Sequence, residues 1–536
     1  MMQKNRCPDI RTLFFLALPL VAFLLRLGGA PLFDDDEGAF SEATREMFER
    51  GDFLSTYLNG AHRFDKPILI YWLQAAAYFL FHGFLPVEWV YRLPSAGAAM
   101  LWCYAVWHFA RPRFGSATAQ AALAVTATAL GPLAMGRVAT ADALLNLLLA
   151  LALFDAWRCL ESGRRAPRLR CYAWVALGAL TKGPIALIVP GVVISLYCAS
   201  RRDWKWWLRM FTDPVGWVIF LVLTVPWYAA ALTLHGQDFI DGFILKHNVK
   251  RFTATLEGHA GSLFYYVVAV PLLLLPWTGP LFAALRRVKV DCTGSDDGGL
   301  RRYLWLWAGF VIVFFSLSGT KLPHYALYGA TPLFLLIAAH REGLRNAAHL
   351  TAPTLVFVFM LVAPALCVYF AGTDIVDARY RARLAEALTL AGGFYYAVCA
   401  VGLLACLTLL AWRRAASLWK RLLAAACLQT LTLALVFEPW LGAMLQGPVK
   451  DAALFVRERG EPVTMWKLFA PSVSVYREAV TPSRAPQDGE LAIARADKLP
   501  EAGFEILFRR AGIVVVRKIS IYTGAGYGDN AIHISQ

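Results

Sequence analysis

The sequence is poor in charge. Only 17% of its 536 residues are Asp, Glu, Lys or Arg, against 58% hydrophobic. A soluble protein could not keep so apolar a chain dispersed. A paired cysteine framework is missing too. The 10 cysteines are scattered, several of them (Cys103, Cys159, Cys198, Cys367) within apolar runs, and none has metal-type spacing. They read as small core hydrophobes. No internal repeat or low-complexity tract is present, which speaks against a repeat-built transporter. The first apolar run, 10–27, has no small-residue cleavage site ahead of the acidic cluster that follows, so it reads as a retained anchor rather than a signal peptide.

What the chain does have is a succession of apolar runs of about 20 residues, the mark of a polytopic membrane protein. Its net charge of +15 would suit nucleic acid, but the basic residues fall in short clusters between those runs. Membrane topology accounts for that pattern, and no nucleic-acid partner is expected. Arg6 and Arg11 precede the first span and place the N-terminus inside. Counting 67–82 as a span would send Arg111-Pro112-Arg113 and Arg164-Arg165-Ala166-Pro167-Arg168 outside. Read as an outer juxtamembrane helix, it leaves every later basic cluster inside. The further spans are then 89–108, 114–134, 140–160, 171–182, 184–200, 214–234, 263–285, 303–319, 324–340, 350–371, 391–412 and 420–442, about thirteen in all. Residues 171–200 are split at Lys182-Gly183-Pro184 into two short spans that border an aqueous cavity.

The expected architecture is therefore mainly α: a transmembrane domain over 1–443, with a first outer loop at 31–87 and a second at 235–262. Gly38 to Arg50 reads as a short helix stopped at Gly51-Asp52. The loop 291–299 reads as a flexible inner linker. Residues 444–536 carry ordinary charge and strand-like runs at 463–466 and 511–517, and read as a small outer α/β domain.

This topology collects polar residues on one face. They are Asp36-Glu37 within the run Asp34-Asp35-Asp36-Glu37, Asp65-Lys66, Arg137 with Asp142, Lys182, the loop 235–262 with His247, Asn248, Lys250 and Arg251, and Lys321, His324 and Tyr325. Taken singly, each has an ordinary reading as a helix cap, a snorkelling amine or an interfacial histidine. Taken together, cations beside a membrane cavity suit a phosphate or pyrophosphate. A carboxylate suits a general base that takes a proton from an attacking oxygen. The pairing fits a sugar-phosphate donor, whose leaving phosphate needs charge compensation.

In this order the motifs resemble a known family. Asp36-Glu37 with Ser41 to Met47 and Gly51-Asp52, Phe64-Asp65-Lys66-Pro67, Tyr91 to Ser95, Gly136 to Asp142, Leu180 to Pro184, His247 to Phe252 and Thr320 to Tyr325 match membrane glycosyltransferases of the GT-C class. The branch is that of the lipid A aminoarabinose transferases and the related protein O-mannosyltransferases. The resemblance runs from the N-terminus to about residue 340. It implies a polyprenyl (undecaprenyl) phosphate-linked sugar donor, inversion at the anomeric carbon, and lipid A or another envelope glycolipid as acceptor. It places the chain in the bacterial inner membrane among membrane lipids, with a cytoplasmic N-terminus and a periplasmic C-terminal domain. Carried over, Asp36 is the catalytic carboxylate supported by Glu37. Lys66, Arg251 and Lys250 bind the donor phosphate. Asp65, Asp142, Lys182, His247, Asn248, Lys321, His324 and Tyr325 line the cavity.

Two positions depart from the family pattern. Ala39-Phe40 stand where aminoarabinose transferases usually have Arg-Tyr, which removes a cation. Asp65 replaces the usual Glu before Lys-Pro. Some relatives bind a divalent metal near here, which makes Asp65 and His247 its candidate ligands, but two groups do not make a site and no cofactor is assigned. A protein hydroxyl as acceptor is the alternative within the enzyme class. A lipid-linked sugar flippase, which would place polar residues at mid-membrane, is the alternative outside it.

Overall fold

A computed structural model describes residues 10–250, 253–254, 261–294, 299–412, 416–500 and 502–519. Among them, six helices are long and apolar enough to cross a bilayer: Asp142–Ser162, Pro214–Lys250, Leu300–Leu317, Ala347–Ala371, Gly393–Ala411 and Leu418–Leu445. Val87–Thr128 with Leu130–Gly136, bent by 60°, makes a seventh. The chain is a multi-pass membrane protein. Length and composition do not give the expected count of thirteen, because several apolar helices are short or broken. The 17 residues of Ile185–Arg201 reach only about 26 Å at 1.5 Å per residue, less than a hydrocarbon core of about 30 Å.

The order of elements explains where the polar groups gather. Helix α1 (Ile10–Leu24) leads into the acidic run, and α2 (Glu37–Arg50) starts at its last member. Gly51, at φ 68°, ends α2 in the left-handed conformation that a glycine takes without strain. A small hairpin, β1 (Tyr57–Leu58) and β2 (Ala61–His62), carries the chain to α3 (Leu69–Phe81), the expected juxtamembrane helix. Helix α4 (Val87–Thr128) is broken at Gly115, φ 81°, just past Arg111-Pro112-Arg113, so its two arms stand where two spans were expected. Then follow α5 (Leu130–Gly136), α6 (Asp142–Ser162), α7 (Arg165–Lys182), α8 (Ile185–Arg201), α9 (Trp204–Phe211) and α10 (Pro214–Phe239).

Small residues let these helices approach closely. Ala119, Ala121, Ala122, Ala124 and Ala127 of α4 are all buried, as membrane helix packing favours. Buried tryptophans here find acceptors for their indole N–H groups: Trp102 donates to Thr331 (2.9 Å), Trp277 to Thr128 (3.0 Å) and Trp307 to the Tyr328 carbonyl (2.7 Å).

The segment expected as the second outer loop, 235–262, opens on a break in α10 at Gly236, φ 53°, and continues as an 11-residue π-helix, Ile240–Lys250. Its apolar side packs Phe243 on Phe239 (5.5 Å between ring centres) and on Tyr228 (5.9 Å), so the segment is held by ring contacts. The 291–299 segment opens on an anchor rather than a flexible linker. Asp291 is buried, accepts from Trp305 Nε1 (2.9 Å) and pairs with His340 (2.8 Å). Residues 295–298 lie outside the described residues.

Beyond residue 446 the chain forms a helix, Gly447–Arg459, and a four-stranded sheet of β3 (Val463–Trp466), β4 (Leu491–Arg495), β5 (Phe504–Arg510) and β6 (Ile513–Lys518). The spatial order is β3-β4-β6-β5, parallel between β3 and β4 and antiparallel elsewhere. Alternation along β6 sends Ile513 and Val515 to the helix-covered side and Val514 and Val516 to the other. The helix-covered core also takes in Leu32, Tyr91 and Ala139. The sheet unit is therefore seated on the loop that carries the acidic run.

Candidate active site

Four consecutive carboxylates repel one another unless the fold gives each a separate environment. Asp34 accepts from the Ser472 backbone N–H (2.9 Å), and burial raises its carboxyl to about 7 despite that bond. Asp35 and Asp36 are exposed, with Asp36 at the N-cap position of α2. Glu37 is buried. It takes Arg92 Nε at 2.7 Å and Nη2 at 2.9 Å, and accepts the backbone N–H groups of Phe33 and Ala139, each at 2.8 Å. Arg92, fully buried, spends its remaining donors on the carbonyls of Leu27, Ala30 and Pro31. Both oxygens of Glu37 are thus committed to holding the loop in shape. Arg92 belongs to a motif already noted, but only the fold shows its role.

A cavity of about 330 Å³ lies between α7, α8, the π-helix and the segment 314–328. Its lining has two characters. Asp65, Lys66, Lys182, His247, Asn248, Ser318, Tyr325 and Tyr328 supply polar groups, while Pro184, Ile185, Ile188, Phe243, Phe314 and Phe315 form an apolar wall. The break at Lys182-Gly183-Pro184 builds one corner. Gly183 has φ 73°, and a Cβ there would meet Phe243 at 2.8 Å, so glycine is required on both counts.

Asp65 is the hub of the polar end. Its Oδ1 pairs with Lys66 Nζ (2.8 Å) and His247 Nδ1 (2.7 Å), and its Oδ2 with Arg63 Nη2 (3.0 Å). Burial opposes ionisation, but Lys66, His247 and Arg63 together hold the carboxyl well below the usual range. A carboxylate so stabilised is a weak base. Asp65 and His247, distant in sequence, could supply two ligands to a metal, but among the described residues no third His, Cys, Asp or Glu joins them in such a group.

A second hub lies beside the cavity. Asp142 is buried, accepts from Lys182 Nζ (2.6 Å) and Tyr328 OH (2.8 Å), and has His324 Nε2 at 3.8 Å. The cavity thus takes Lys66, Lys182, His247, Asn248, Tyr325 and Asp65 from the expected set. Asp36, Asp142, Lys250, Lys321 and His324 are not in its wall. Lys250 is exposed on the π-helix, and Lys321 turns back to the Ser318 carbonyl (2.7 Å). Arg251 lies outside the described residues. Tyr328 and Arg63 went unread in the sequence. Tyr328 falls one helical turn after His324, a signal available in retrospect, and Arg63 precedes the Phe64-Asp65-Lys66-Pro67 motif by one position.

Comparison with known proteins places this geometry. A nearly full-length structural match is to the crystal structure of ArnT from Cupriavidus metallidurans bound to undecaprenyl phosphate, with a TM-score of 0.76, 22% identity, and coverage of 94% of this chain and 97% of that one. The fold is that of ArnT. The apo crystal structure of ArnT from the same organism superposes with a TM-score of 0.75. Residues 65–229 match the family model described as dolichyl-phosphate-mannose-protein mannosyltransferase. Among curated relatives, the undecaprenyl phosphate-alpha-4-amino-4-deoxy-L-arabinose arabinosyl transferases of Aeromonas salmonicida and Aeromonas hydrophila are 30% and 31% identical, each over 63% of this chain. The chain spans 62% of the length of each of those two relatives. The resemblance read from the motifs is borne out.

Proposed function

We propose that the chain is an inverting glycosyltransferase. In this reading it moves a 4-amino-4-deoxy-L-arabinose or similar sugar from undecaprenyl phosphate to lipid A or a related glycolipid at the outer face of a bacterial inner membrane. The observation that carries this reading is the two-ended cavity, with cations at one end and an apolar wall on a short helix at the other. A phosphate with a long hydrocarbon tail has the matching shape and polarity. The names of the relatives point the same way. Short helices such as Arg165–Lys182 and Ile185–Arg201 then cross the membrane beside the cavity and supply the further crossings that the apolar runs imply. That topology puts the N-terminus inside, and α2, α3 and the C-terminal sheet unit outside.

The transfer forms a bond between an acceptor oxygen and the anomeric carbon while the carbon–oxygen bond to the donor phosphate breaks. Polyprenyl phosphate leaves, and any proton on the attacking oxygen passes to a carboxylate. Asp36 suits that last step better than Asp65 does, because it is exposed and not locked among three cations. Lys66 and Lys182 compensate the leaving phosphate. Glu37 and Arg92 hold the Asp36 loop in place.

The test is transfer by the purified full chain, in lipid nanodiscs, from undecaprenyl phosphate-aminoarabinose to lipid A, read by mass spectrometry. A mass gain of one pentosamine on lipid A is expected. The match of 65–229 to protein mannosyltransferases makes a protein hydroxyl the second reading, and label found only in protein would favour it. Lipid-linked sugar that crosses the bilayer without transfer would replace both with a flippase.

A further inference from the structure

Lys66 is placed to receive the donor phosphate, yet its ammonium already sits 2.8 Å from an ionised carboxylate, Asp65 Oδ1. A phosphate arriving on the same ammonium would lie beside that carboxylate, and two anions at contact distance in a half-buried site repel strongly. Either Asp65 stays and weakens the binding, or it has somewhere else to go.

The fold provides that place on the other side. Arg63 holds Asp65 Oδ2 through Nη2 at 3.0 Å, while its Nη1 is buried and has no hydrogen-bond partner among the described residues. The guanidinium lies over the Phe40 ring at 5.0 Å, which fixes its plane, and the residue is 9% exposed. The contrast is with Arg92, a fully buried strut whose Nε, Nη1 and Nη2 are all bonded. A guanidinium that keeps a buried N–H unused forgoes a charge-assisted bond. A carboxylate already on Nη2 is the acceptor best placed to take it up, because a guanidinium fork matches two carboxylate oxygens at once.

We propose that Arg63 is a positioning residue for donor binding: when a substrate phosphate reaches Lys66, Asp65 releases Lys66 and His247 and closes onto both Nη groups of Arg63. The inference rests on the donor reading above. No covalent step is involved. Two contacts of Asp65 Oδ1, to Lys66 and to His247, are exchanged for phosphate on Lys66 and a second Asp65 to Arg63 bond. The residue before the motif thus sets how readily the site empties its own anion.

The experiment is a binding cycle on the full chain in detergent, with undecaprenyl phosphate as probe and thermal unfolding measured in parallel. Arg63→Lys keeps the charge but offers no fork, and is expected to weaken binding about 10- to 100-fold with little change in melting temperature. Asp65→Asn removes the competing charge, so adding it to Arg63→Lys is expected to bring binding back to within about threefold of Asp65→Asn alone. If Arg63 touches the phosphate directly, the double variant stays weak and the exchange is refuted. If Arg63 is only a strut, Arg63→Lys lowers the melting temperature and leaves the affinity of the folded fraction unchanged, which also refutes it. A wild-type chain that does not bind undecaprenyl phosphate would instead overturn the donor reading.

Discussion

Substituting Glu37 and Asp36 separately distinguishes a scaffold carboxylate from a reacting one, although the two are neighbours. Glu37 accepts four N–H groups, two on each oxygen. Glu37→Gln replaces one of those oxygens by a donor, so either amide orientation loses one bond from Arg92 and one from a backbone N–H. Arg92 is then left buried without its counter-charge. Breaking a buried ion pair costs about 3–5 kcal/mol, and an orphaned backbone N–H about 1–3 kcal/mol if the loop cannot relax. Relaxation will recover part of this, so a loss of about 3–5 kcal/mol is expected overall, a large share of a typical 5–15 kcal/mol. Asp36→Asn changes an exposed group and should shift stability by no more than about 0.5 kcal/mol. Loss of a general base should lower turnover about 10²- to 10⁴-fold. The assay is thermal unfolding of each full-chain variant in detergent, paired with transfer rate per folded molecule. A Glu37→Gln protein that melts like wild type but fails to transfer would refute the division of labour.

Three further outcomes follow from the geometry. Lys182→Met should destabilise the chain by about 3 kcal/mol, because Asp142 loses the counter-charge at 2.6 Å, and adding Asp142→Asn should restore most of the loss in a thermal-unfolding cycle. The Asp34 carboxyl is raised from 3.8 to about 7 in the folded chain, so the stability it contributes is full below about pH 4 and is lost as pH rises through 7. Asp34→Asn should therefore match wild type at pH 4 and melt higher at pH 8, and parallel melting curves from pH 4 to 9 would refute the assignment. Tyr476 OH accepts from the Leu32 backbone N–H at 2.7 Å and donates to Glu88 at 3.0 Å. Tyr476→Phe should cost about 1–3 kcal/mol and raise the rate of limited proteolysis between 446 and 519. Unchanged cleavage would show that the contact does not hold the sheet unit in place.

The amino-acid order alone determined the class of this protein. Apolar runs, basic clusters between them, the break at Lys182-Gly183-Pro184, the α2 and α3 helices and the strands near 463 and 513 are local signals, because hydrophobic period, glycine and proline act over a few residues. The candidate site was legible as a set of motifs on one face. Tertiary structure decided which members of the set share a cavity. Asp36 and Glu37 have the same chemistry and adjacent positions, and only the approach of Arg92, 55 residues on, makes one of them a strut. Asp65, His247 and Arg63 form one ionic hub, and Asp142, Lys182 and Tyr328 another. No local pattern encodes such pairings, since the charge that settles a buried carboxylate's role is supplied by whichever helix packs beside it.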